Sequence, residues 1–359
     1  MMAHYARPQY EAAEVNKAAR TLVANERDGV PYDSDALVIV NNWRGAHDYP
    51  LNSIHMTMKN RAKRILGDQQ QVLSAQRIKR LDSIMLKLHD REQMKLTQMQ
   101  DIGGCRVILP TIKHVYELCN MYSESPVVHE MLAPKDYINE PVPDTGYRSV
   151  HLKFRFQGRG ASSPWNGLKV EMQIRTATQH RWATAVEAAG TLRGQMFKSR
   201  RGDQEWRRFF HLASAAYAYR EKTVLVPNAP ENLRDVIDEL RAIDAEHQIV
   251  ATMGGYSRLI REIDKKRNAY YYVLLLDPIN SKINVWEYNK DETVQSAEHL
   301  ERLEQEVTRP AQVVRVSVSS LSHLKRAYPN YFLDTGHFLR DVQSMIRSSL
   351  RIRVARQDE

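Results

Sequence analysis

The run Lys169-Val-Glu-Met-Gln-Ile-Arg175 alternates apolar and polar side chains along its whole length. Successive side chains of a β-strand point to opposite faces of a sheet, so Glu171, Gln173 and Arg175 share one face of this strand. The run 149–156 alternates in the same way and places a histidine, a lysine and an arginine on its polar face. Two such neighbouring strands predict a sheet with one apolar face and one polar, cationic face that holds a carboxylate. A polar face that is merely covered by solvent is the alternative at this point.

Helical and strand signals alternate around these runs and predict a mixed α/β core. A third strand is predicted at 104–109, where the paired glycines Gly103 and Gly104 let the backbone approach a ligand closely. Helices are predicted at 9–25, 34–43, 50–66, 74–91 and 114–123 and over the block 178–222. One face of the helix predicted at 74–91 carries Lys79, Ser83, Lys87 and Arg91 at four-residue intervals. This face is therefore a row of three cations and one hydroxyl group.

A short Pro-Asn-Ala-Pro linker at 227–230 separates this core from a second predicted region. Beyond it the sequence predicts a helix at 231–251, strands at 270–276, 282–288 and 312–318, an acidic helix at 293–307 and helical segments between 321 and 351. The predicted division is N-terminal helices over 1–40, a main domain over 41–228 and a small α+β C-terminal domain over 229–359.

The composition is that of a globular protein, with 359 residues of which 42% are apolar. No apolar run approaches the roughly 20 residues of a membrane helix, and no signal peptide is recognisable, so a cytoplasmic protein is expected. Cys105 and Cys119 have no CxxC or Cys/His ligand spacing, which argues against a disulfide framework and a zinc site.

The net charge of +9 is unevenly distributed. Residues 1–229 hold 33 Lys and Arg against 23 Asp and Glu, whereas residues 230–359 hold 19 against 20. Such a basic excess favours a polyanionic ligand, either nucleotide phosphates or nucleic acid, with a solvated basic surface as the alternative. The sequence contains no GxxxxGK[ST] and no GxGxxG motif, which excludes a P-loop and gives no support to a dinucleotide-binding site.

Five ordered blocks of sequence carry the strongest functional signal. They are Arg77-Ile-Lys79-Arg80-Leu-Asp-Ser83, Met99-Gln-Asp101-Ile-Gly-Gly-Cys-Arg106, Lys135-Asp136-Tyr137, Gly146-Tyr147-Arg148-Ser149-Val-His151, and Val170-Glu171-Met-Gln173-Ile-Arg175-Thr176 followed by Trp182-Ala183. Together they resemble the motifs of the RelA/SpoT alarmone-synthetase family over about residues 43–220. The resemblance implies a nucleotidyltransferase-like mixed sheet with flanking helices. It also implies a pyrophosphokinase, which transfers the β,γ-pyrophosphate of ATP to the 3′-hydroxyl of an acceptor nucleotide.

The resemblance, taken residue by residue, implies three groups of site residues. Catalysis and magnesium binding fall to Asp101 and Glu171, since Mg²⁺ prefers carboxylate oxygens, and Glu171 is also implied to help deprotonate the attacking 3′-hydroxyl. The ATP-binding residues are Arg77 and Arg106, on either face of the adenine, and Lys79, Ser83 and Lys87, on the phosphates. The acceptor-binding residues are Tyr147, which stacks on the base, and Arg148, His151, Gln173 and Arg175.

The C-terminal part resembles more loosely the neutralising domain of fused toxin–antitoxin members of the CapRel type, through Tyr328-Pro-Asn-Tyr331. This implies an autoinhibited toxin in which Tyr328 and Tyr331 occupy the adenine slot. Such relatives pyrophosphorylate the 3′ CCA end of tRNA, block translation and defend bacteria against phage, and a phage protein is the implied activating partner. Two alternatives are a (p)ppGpp synthetase that uses GDP or GTP as acceptor, and a non-catalytic nucleotide- or RNA-binding module. The pair Asp101 and Glu171 argues against the last, because a pure binding site gains nothing from two carboxylates beside phosphates.

Overall fold

The computed structural model describes most of the chain. The described residues are 5–67, 70–125, 127–192, 204–247, 249–250, 253, 270–277, 282–306, 312–317 and 335–354. Tyr328 and Tyr331, which are predicted to be autoinhibitory, lie outside the described residues. Within the described ranges, no helix is both long enough and apolar enough to cross a membrane.

The described chain contains both helices and strands. The helices are α1 (Ala12–Asp28), α2 (Ser34–Ala46), α3 (Asp48–Leu66), α4 (Leu81–His89), α5 (Ile112–Glu124), α6 (Ala177–Leu192), α7 (Gln204–Glu221), α8 (Leu233–His247), α9 (Thr293–Glu306) and α10 (Gly336–Val354). The strands are β1 (Leu73–Ile78), β2 (Gly103–Leu109), β3 (Glu130–Asp136), β4 (Val150–Arg155), β5 (Lys169–Thr176), β6 (Tyr271–Asp277), β7 (Lys282–Tyr288) and β8 (Gln312–Ser317).

The strands form one eight-stranded mixed sheet in the order β3-β4-β5-β2-β1-β8-β6-β7. β2 and β5 run parallel, and the other described neighbours are antiparallel. The strands predicted at 149–156 and 169–175 are confirmed as β4 and β5. A mixed sheet with flanking helices confirms the predicted α/β fold class.

The apolar face of the main sheet packs against α3 and α5. Leu51 and Met58 of α3 and Leu118 of α5 meet Val107 of β2 and Met172 of β5, and all five side chains are buried. Burying such a side chain contributes roughly 1.5–3 kcal/mol. Because this face is fixed by packing, the alternate residues of β2, β4 and β5 face the other side of the sheet.

The helical block predicted at 178–222 consists of α6 and α7, which pack with α8 and α10 in a second core. Trp182 and Phe210 lie in this core, and Phe338 of α10 stacks on Phe210 with ring centroids 5.6 Å apart. Arg181 of α6 also pairs with Asp341 of α10 at 2.9 Å. The C-terminal helix therefore packs on the helical layer of the main domain.

The helix predicted at 74–91 is wrong over its first part. β1 occupies that part, and α4 starts only at Leu81. The backbone of β1 pairs with β2 on one side and β8 on the other. Pairing between distant segments overrides local helical spacing, which is a weak preference. Lys79 and Arg91 therefore lie outside the helix, while the other two polar residues of the predicted face lie on it.

No strand is predicted from the sequence at β3. This strand lies at the edge of the sheet, contains Pro134 and has mostly exposed side chains. Its register shifts between Leu132 and Lys135, which flank the proline. Proline cannot donate a ladder hydrogen bond and is tolerated at sheet edges. An exposed strand of this kind has no apolar face, so pattern reading misses it.

The C-terminal strands continue the main sheet. The predicted hairpin is β6 and β7, the acidic helix is α9, and the strand predicted at 312–318 is β8. β8 pairs with β6 on one side and with β1 on the other, where Val316 lies opposite Arg77. The α+β character of this part is confirmed, and the division of the chain at 228/229 stays a prediction.

Candidate active site

Two rows of residues cross the polar face of the sheet from β1 through β2 and β5 to β4. The first row is Arg77, Gly104, Glu171 and Lys153. The second row is Ala75, Arg106, Gln173 and His151. Directly opposed residues of neighbouring strands share a face. The register therefore brings the predicted ATP-binding and acceptor-binding residues of these strands onto one surface.

Gly104 leaves a gap in the first row. A Cβ atom at this position would meet nothing nearer than the carbonyl oxygen of Arg77, 4.0 Å away. The backbone is thus bare between Arg77 and Glu171, and a flat ligand group can approach the sheet there. Arg106, two residues along the same strand, lies beside this gap and is buried. Two guanidinium groups next to an open patch of backbone suit the face of an aromatic ring.

Asp101 lies in the loop before β2 and is held by two lysines. Lys79 Nζ donates to Oδ2 at 3.0 Å, and Lys87 Nζ donates to Oδ1 at 2.9 Å. We call these three residues the Asp101 cluster. Their side chains are between 18% and 28% exposed, so the cluster is accessible to a ligand.

The charges of the Asp101 cluster determine its protonation. Burial alone would raise the pKa of Asp101, but Lys79 and Lys87 outweigh it and hold the pKa well below its usual range. Burial lowers the pKa of Lys79, and the neighbouring Asp101 opposes this. The carboxylate therefore stays ionised through neutral and mildly acidic pH. Two ammonium groups on one carboxylate leave a positive excess, which suits phosphate oxygens.

A chain of hydrogen bonds runs from Arg175 to Glu171. His151 Nδ1 lies 3.1 Å from Glu171 Oε1, and Gln173 Nε2 donates to Oε2 at 2.9 Å. Since an ionised carboxylate only accepts, His151 donates from Nδ1; in the neutral ring Nε2 then accepts from the Tyr147 hydroxyl at 2.7 Å. That hydroxyl accepts from Arg175 Nη2 at 2.9 Å, and Arg175 also donates to Gln173. Each group thus orients the next.

The hydrogen-bond chain keeps Glu171 charged. Burial alone would raise the pKa of Glu171, but the bonds from His151 and Gln173 lower it below the usual glutamate value. The charge of Asp101 acts on Glu171 in the opposite sense, so the two carboxylates lie within electrostatic reach of each other. Burial raises the pKa of Tyr147, whose hydroxyl therefore keeps its proton.

Tyr147 is surrounded by aromatic and cationic groups. The Tyr137 ring meets it edge-on at 5.6 Å, the Trp182 ring lies at 6.3 Å, and the Arg175 guanidinium lies 5.4 Å from its centroid. Tyr137 also meets the His151 ring at 5.1 Å. Tyr137 is absent from the predicted site residues although it belongs to a quoted motif, and only its position shows that it packs against Tyr147 and His151.

Gly146 positions Tyr147 through the backbone. Its φ is 73°, in the left-handed region that favours glycine, and a Cβ there would lie 2.9 Å from the Cβ of Ser214. The hydroxyl of Ser214 donates to the Gly146 carbonyl oxygen at 2.5 Å. Helix α7 therefore fixes the turn that presents Tyr147.

Arg148 and Ser83 lie apart from the Asp101 cluster and from the hydrogen-bond chain of Glu171. The Arg148 side chain is 2% exposed, and its electrostatic neighbours are Glu221 and Tyr116, on α7 and α5. The Ser83 hydroxyl accepts from Arg80 Nε at 3.4 Å. The acceptor role of Arg148 and the phosphate role of Ser83 stay predictions.

Residues 76–192 match the family described as a region found in RelA / SpoT proteins. We call residues 76–192 the RelA/SpoT region, after the family that they match. The RelA/SpoT region extends from β1 to α6 and contains all the predicted catalytic, ATP-binding and acceptor-binding residues, so the predicted resemblance is confirmed there. The resemblance of the C-terminal part to CapRel-type proteins stays a prediction.

Relatives and solved structures match about half of the chain. Uncharacterized proteins of Mycobacterium bovis and Mycobacterium tuberculosis are 26% identical over 180 residues, which is 48% of this chain and 57% of each relative. The chain thus spans little more than half the length of these curated relatives.

The small alarmone synthetase 1 from Bacillus subtilis bound to its product pppGpp is 24% identical, with 48% of this chain and 90% of that chain covered and a TM-score of 0.39. A GTP pyrophosphokinase family protein from Streptococcus pneumoniae is 19% identical, with 48% and 85% covered and a TM-score of 0.39.

Proposed function

We propose that this chain is an ATP-dependent nucleotide 3′-pyrophosphokinase. The proposal is carried by the Asp101 cluster, which lies within electrostatic reach of Glu171 inside a RelA/SpoT region. Two lysines supply charge for the phosphates of ATP, and two carboxylates supply oxygens for a metal ion that accompanies them. Tyr147 supplies a stacking platform for the acceptor base.

In the proposed reaction the 3′-oxygen of the acceptor attacks the β-phosphorus of ATP. A bond forms between these two atoms, and the bond between the β-phosphorus and the α,β-bridging oxygen breaks. AMP leaves with the bridging oxygen, and the β,γ-pyrophosphate stays on the acceptor. Glu171 is the proposed acceptor of the hydroxyl proton, and His151 and Gln173 hold its two carboxylate oxygens in place.

Magnesium is the proposed cofactor. Mg²⁺ is usually held by one or two carboxylates together with substrate phosphates rather than by an all-protein cage. Asp101 and Glu171 form such a pair, and among the described residues no group of three or more His, Cys, Asp or Glu could hold a metal ion by itself. These residues therefore fit an ion that binds with the nucleotide and supplies positive charge at the transferring group. Because both oxygens of Asp101 are bonded to lysines, such binding requires Lys79 and Lys87 to turn toward the phosphates.

The proposed acceptor is the 3′ CCA end of tRNA. Support comes from the basic excess of residues 1–229, since neutralising a phosphate backbone drives nucleic-acid binding. Modified tRNA cannot serve translation, which would make the protein toxic to its host and useful in antiphage defence. GDP or GTP is the alternative acceptor, because a stacking platform such as Tyr147 tolerates any base.

Full-length protein incubated with a saturating concentration of ATP labelled at the γ-phosphate tests the chemistry and the acceptor together. The label travels with the transferred pyrophosphate. We expect label on tRNA, and none on tRNA whose terminal ribose has been oxidised with periodate. Label on GDP or GTP alone would replace tRNA modification by alarmone synthesis. ATP binding without transfer to any acceptor would support the alternative that the protein is a non-catalytic nucleotide-binding module.

Tyr147→Ala is expected to raise the KM for the acceptor about 5- to 150-fold and to leave ATP affinity within about twofold of the wild type. A base stacked on an aromatic ring contributes ~1–3 kcal/mol, and about 1.4 kcal/mol corresponds to a factor of ten. Acceptor kinetics and ATP titration, measured separately, check this.

Tyr147→Phe is the matched control because it keeps the ring and loses the hydroxyl that binds His151 and Arg175. It should keep acceptor affinity near that of the wild type. A loss confined to ATP affinity in Tyr147→Ala would contradict the acceptor assignment, and a large fall in melting temperature would show a packing role instead.

We also propose that the segment between β8 and α10, which contains Tyr328 and Tyr331, inhibits the site. β8 ends at Ser317 after pairing with β1 beside Arg77, and Tyr328 follows eleven residues later. At ~3.3–3.6 Å per residue, eleven residues are long enough to reach back to Arg77. Tyr328 and Tyr331 could then stack on Arg77 and Arg106 in place of adenine, at the millimolar effective concentration typical of a tethered segment. The proposed activator is a phage protein that binds this segment.

Replacing both Tyr328 and Tyr331 by alanine in the full-length chain is expected to raise the transfer rate at subsaturating ATP at least about tenfold, since a competing tethered group is removed. Replacement of both by phenylalanine keeps the rings and should keep the inhibition. Transfer assays and growth of bacteria that express each variant check this. Equal rates for the alanine variant and the wild type would argue against the inhibitory role.

A further inference from the structure

The turn between β1 and α4 is held by Arg44, a residue of α2 that lies outside the RelA/SpoT region. Its Nε and Nη2 atoms donate to the carbonyl oxygen of Lys79 at 3.2 and 3.1 Å. The backbone N–H of Lys79 donates to the carbonyl oxygen of Ile102 at 2.8 Å. Both backbone polar groups of Lys79 are therefore fixed, and with them the point from which its side chain reaches Asp101.

Glu304 of α9 anchors Arg44 and caps α4. Its carboxylate accepts from Nη1 and Nη2 of Arg44 at 2.9 and 3.2 Å. The same carboxylate accepts from the backbone N–H of Leu81, the first residue of α4, at 3.2 Å. Arg80, at the N-cap position, makes no side-chain cap. A carboxylate from the C-terminal part of the chain thus takes the capping role at the helix that carries Lys87.

The pair formed by Arg44 and Glu304 is buried, with each side chain 5% exposed. Burial raises the pKa of Glu304, and Arg44 and the Leu81 N–H oppose that rise. Removing one partner of such a pair leaves the other charge buried and unpaired, which is strongly unfavourable. The buried pair therefore holds α9 against the turn between β1 and α4.

Two further contacts bring α9 and β8 close to the turn between β1 and α4. Asn41 of α2 donates to Glu301 of α9 and accepts from Arg44. β8 pairs with β1 at Gln76 and Arg77, just before the turn. Both α9 and β8 therefore contact the parts of the chain that hold the predicted ATP-binding residues of β1 and α4.

We propose that Glu304 is a positioning residue for the phosphate-binding turn, so that α9 is part of the working nucleotide site. The inference rests on the proposed function, in which Lys79 and Lys87 bind the phosphates of ATP. Through Arg44, Glu304 fixes the backbone of Lys79, and through Leu81 it fixes the start of the helix that carries Lys87. Without Glu304, Lys79 and Lys87 are no longer held in positions from which both can bind the phosphates of ATP.

Nucleotide affinities of the full-length chain separate this role from a purely structural one. Glu304→Ala is expected to weaken ATP binding about tenfold, the effect of losing hydrogen bonds to a charged group. AMP binding should stay within about twofold of the wild type, because AMP lacks the β- and γ-phosphates that the lysines bind. Glu304→Gln keeps an acceptor for the Leu81 N–H, so its ATP affinity should lie between those of the wild type and Glu304→Ala. Glu306→Gln, at the exposed end of the same helix, is the matched control and should change neither affinity.

Three results would overturn the positioning role. They are an equal loss of ATP and AMP affinity, a lower melting temperature with unchanged affinities, and faster transfer by Glu304→Ala, which would make the contact an inhibitory latch. A transfer assay on the wild type runs in parallel. If the wild type binds ATP more tightly than AMP but transfers pyrophosphate to no acceptor, the proposed function fails, while the comparison of Glu304 variants still decides the positioning role.

Discussion

Asp101→Asn is expected to lower the rate of pyrophosphate transfer about 1,000-fold, equivalent to about 4 kcal/mol. The neutral amide lacks the negative charge that would hold a metal ion, and the role of that ion is to stabilise charge at the transferring group. The same change releases Lys79 and Lys87 from their shared carboxylate, so ATP affinity should be unchanged or higher. Steady-state kinetics at saturating magnesium, together with ATP titration, measure the two effects.

Asp90→Asn makes the same chemical change at an exposed position just after α4 and is the matched control. It should leave both transfer and ATP affinity at the wild-type level. Near-normal turnover of Asp101→Asn would remove this residue from the metal-binding role. Loss of ATP affinity in parallel with turnover would instead show that Asp101 orders the two lysines for binding.

Glu171→Gln is expected to lower transfer about 100- to 1,000-fold with the KM values for ATP and acceptor within about threefold. The amide removes the charge that the proposed metal and proton-accepting roles both require. It can still accept a hydrogen bond from His151, so the chain to Tyr147 should survive. Kinetics of both substrates, with the melting temperature, measure this.

Glu130→Gln is the matched control for Glu171→Gln. Glu130 lies on the edge strand β3 and pairs with Arg155 at 2.9 Å, with its side chain 41% exposed. Exposed pairs of this kind contribute about 0–1 kcal/mol, so this variant should keep full activity. A Glu171→Gln enzyme that turns over as fast as this control would exclude Glu171 from the chemistry.

The polar surface of the sheet could be predicted in part from strand alternation. β4 and β5 lie between neighbouring strands, and their side chains alternate between a close-packed apolar core and a polar surface, so period-two patterns are strong there. β1 has no such signal, because its strand conformation depends on backbone pairing with β2 and β8, which lie far away in the chain. The helix predicted at 74–91 is wrong for this reason.

For the candidate site, the sequence predicts the residues but not their arrangement. The quoted motifs name Asp101, Glu171 and Tyr147, since their chemistry and order are visible in the chain. Their geometry is not visible, because it depends on strand register: Glu171 lies opposite Gly104 only through the parallel pairing of β2 and β5. Tyr137 contacts the rings of Tyr147 and His151, and its position in the sequence does not reveal these contacts.

The sequence by itself determined the α/β class, the polar face of β4 and β5 and the identity of the RelA/SpoT motif residues, because alternation and ordered motifs are local properties of the chain. Only the tertiary structure decided that Lys79 and Lys87 share Asp101, and that Glu304 reaches Arg44 and the start of α4. These contacts join segments up to 260 residues apart. Such contacts are fixed by which faces the packed elements bury, and that depends on the whole fold rather than on any stretch of sequence.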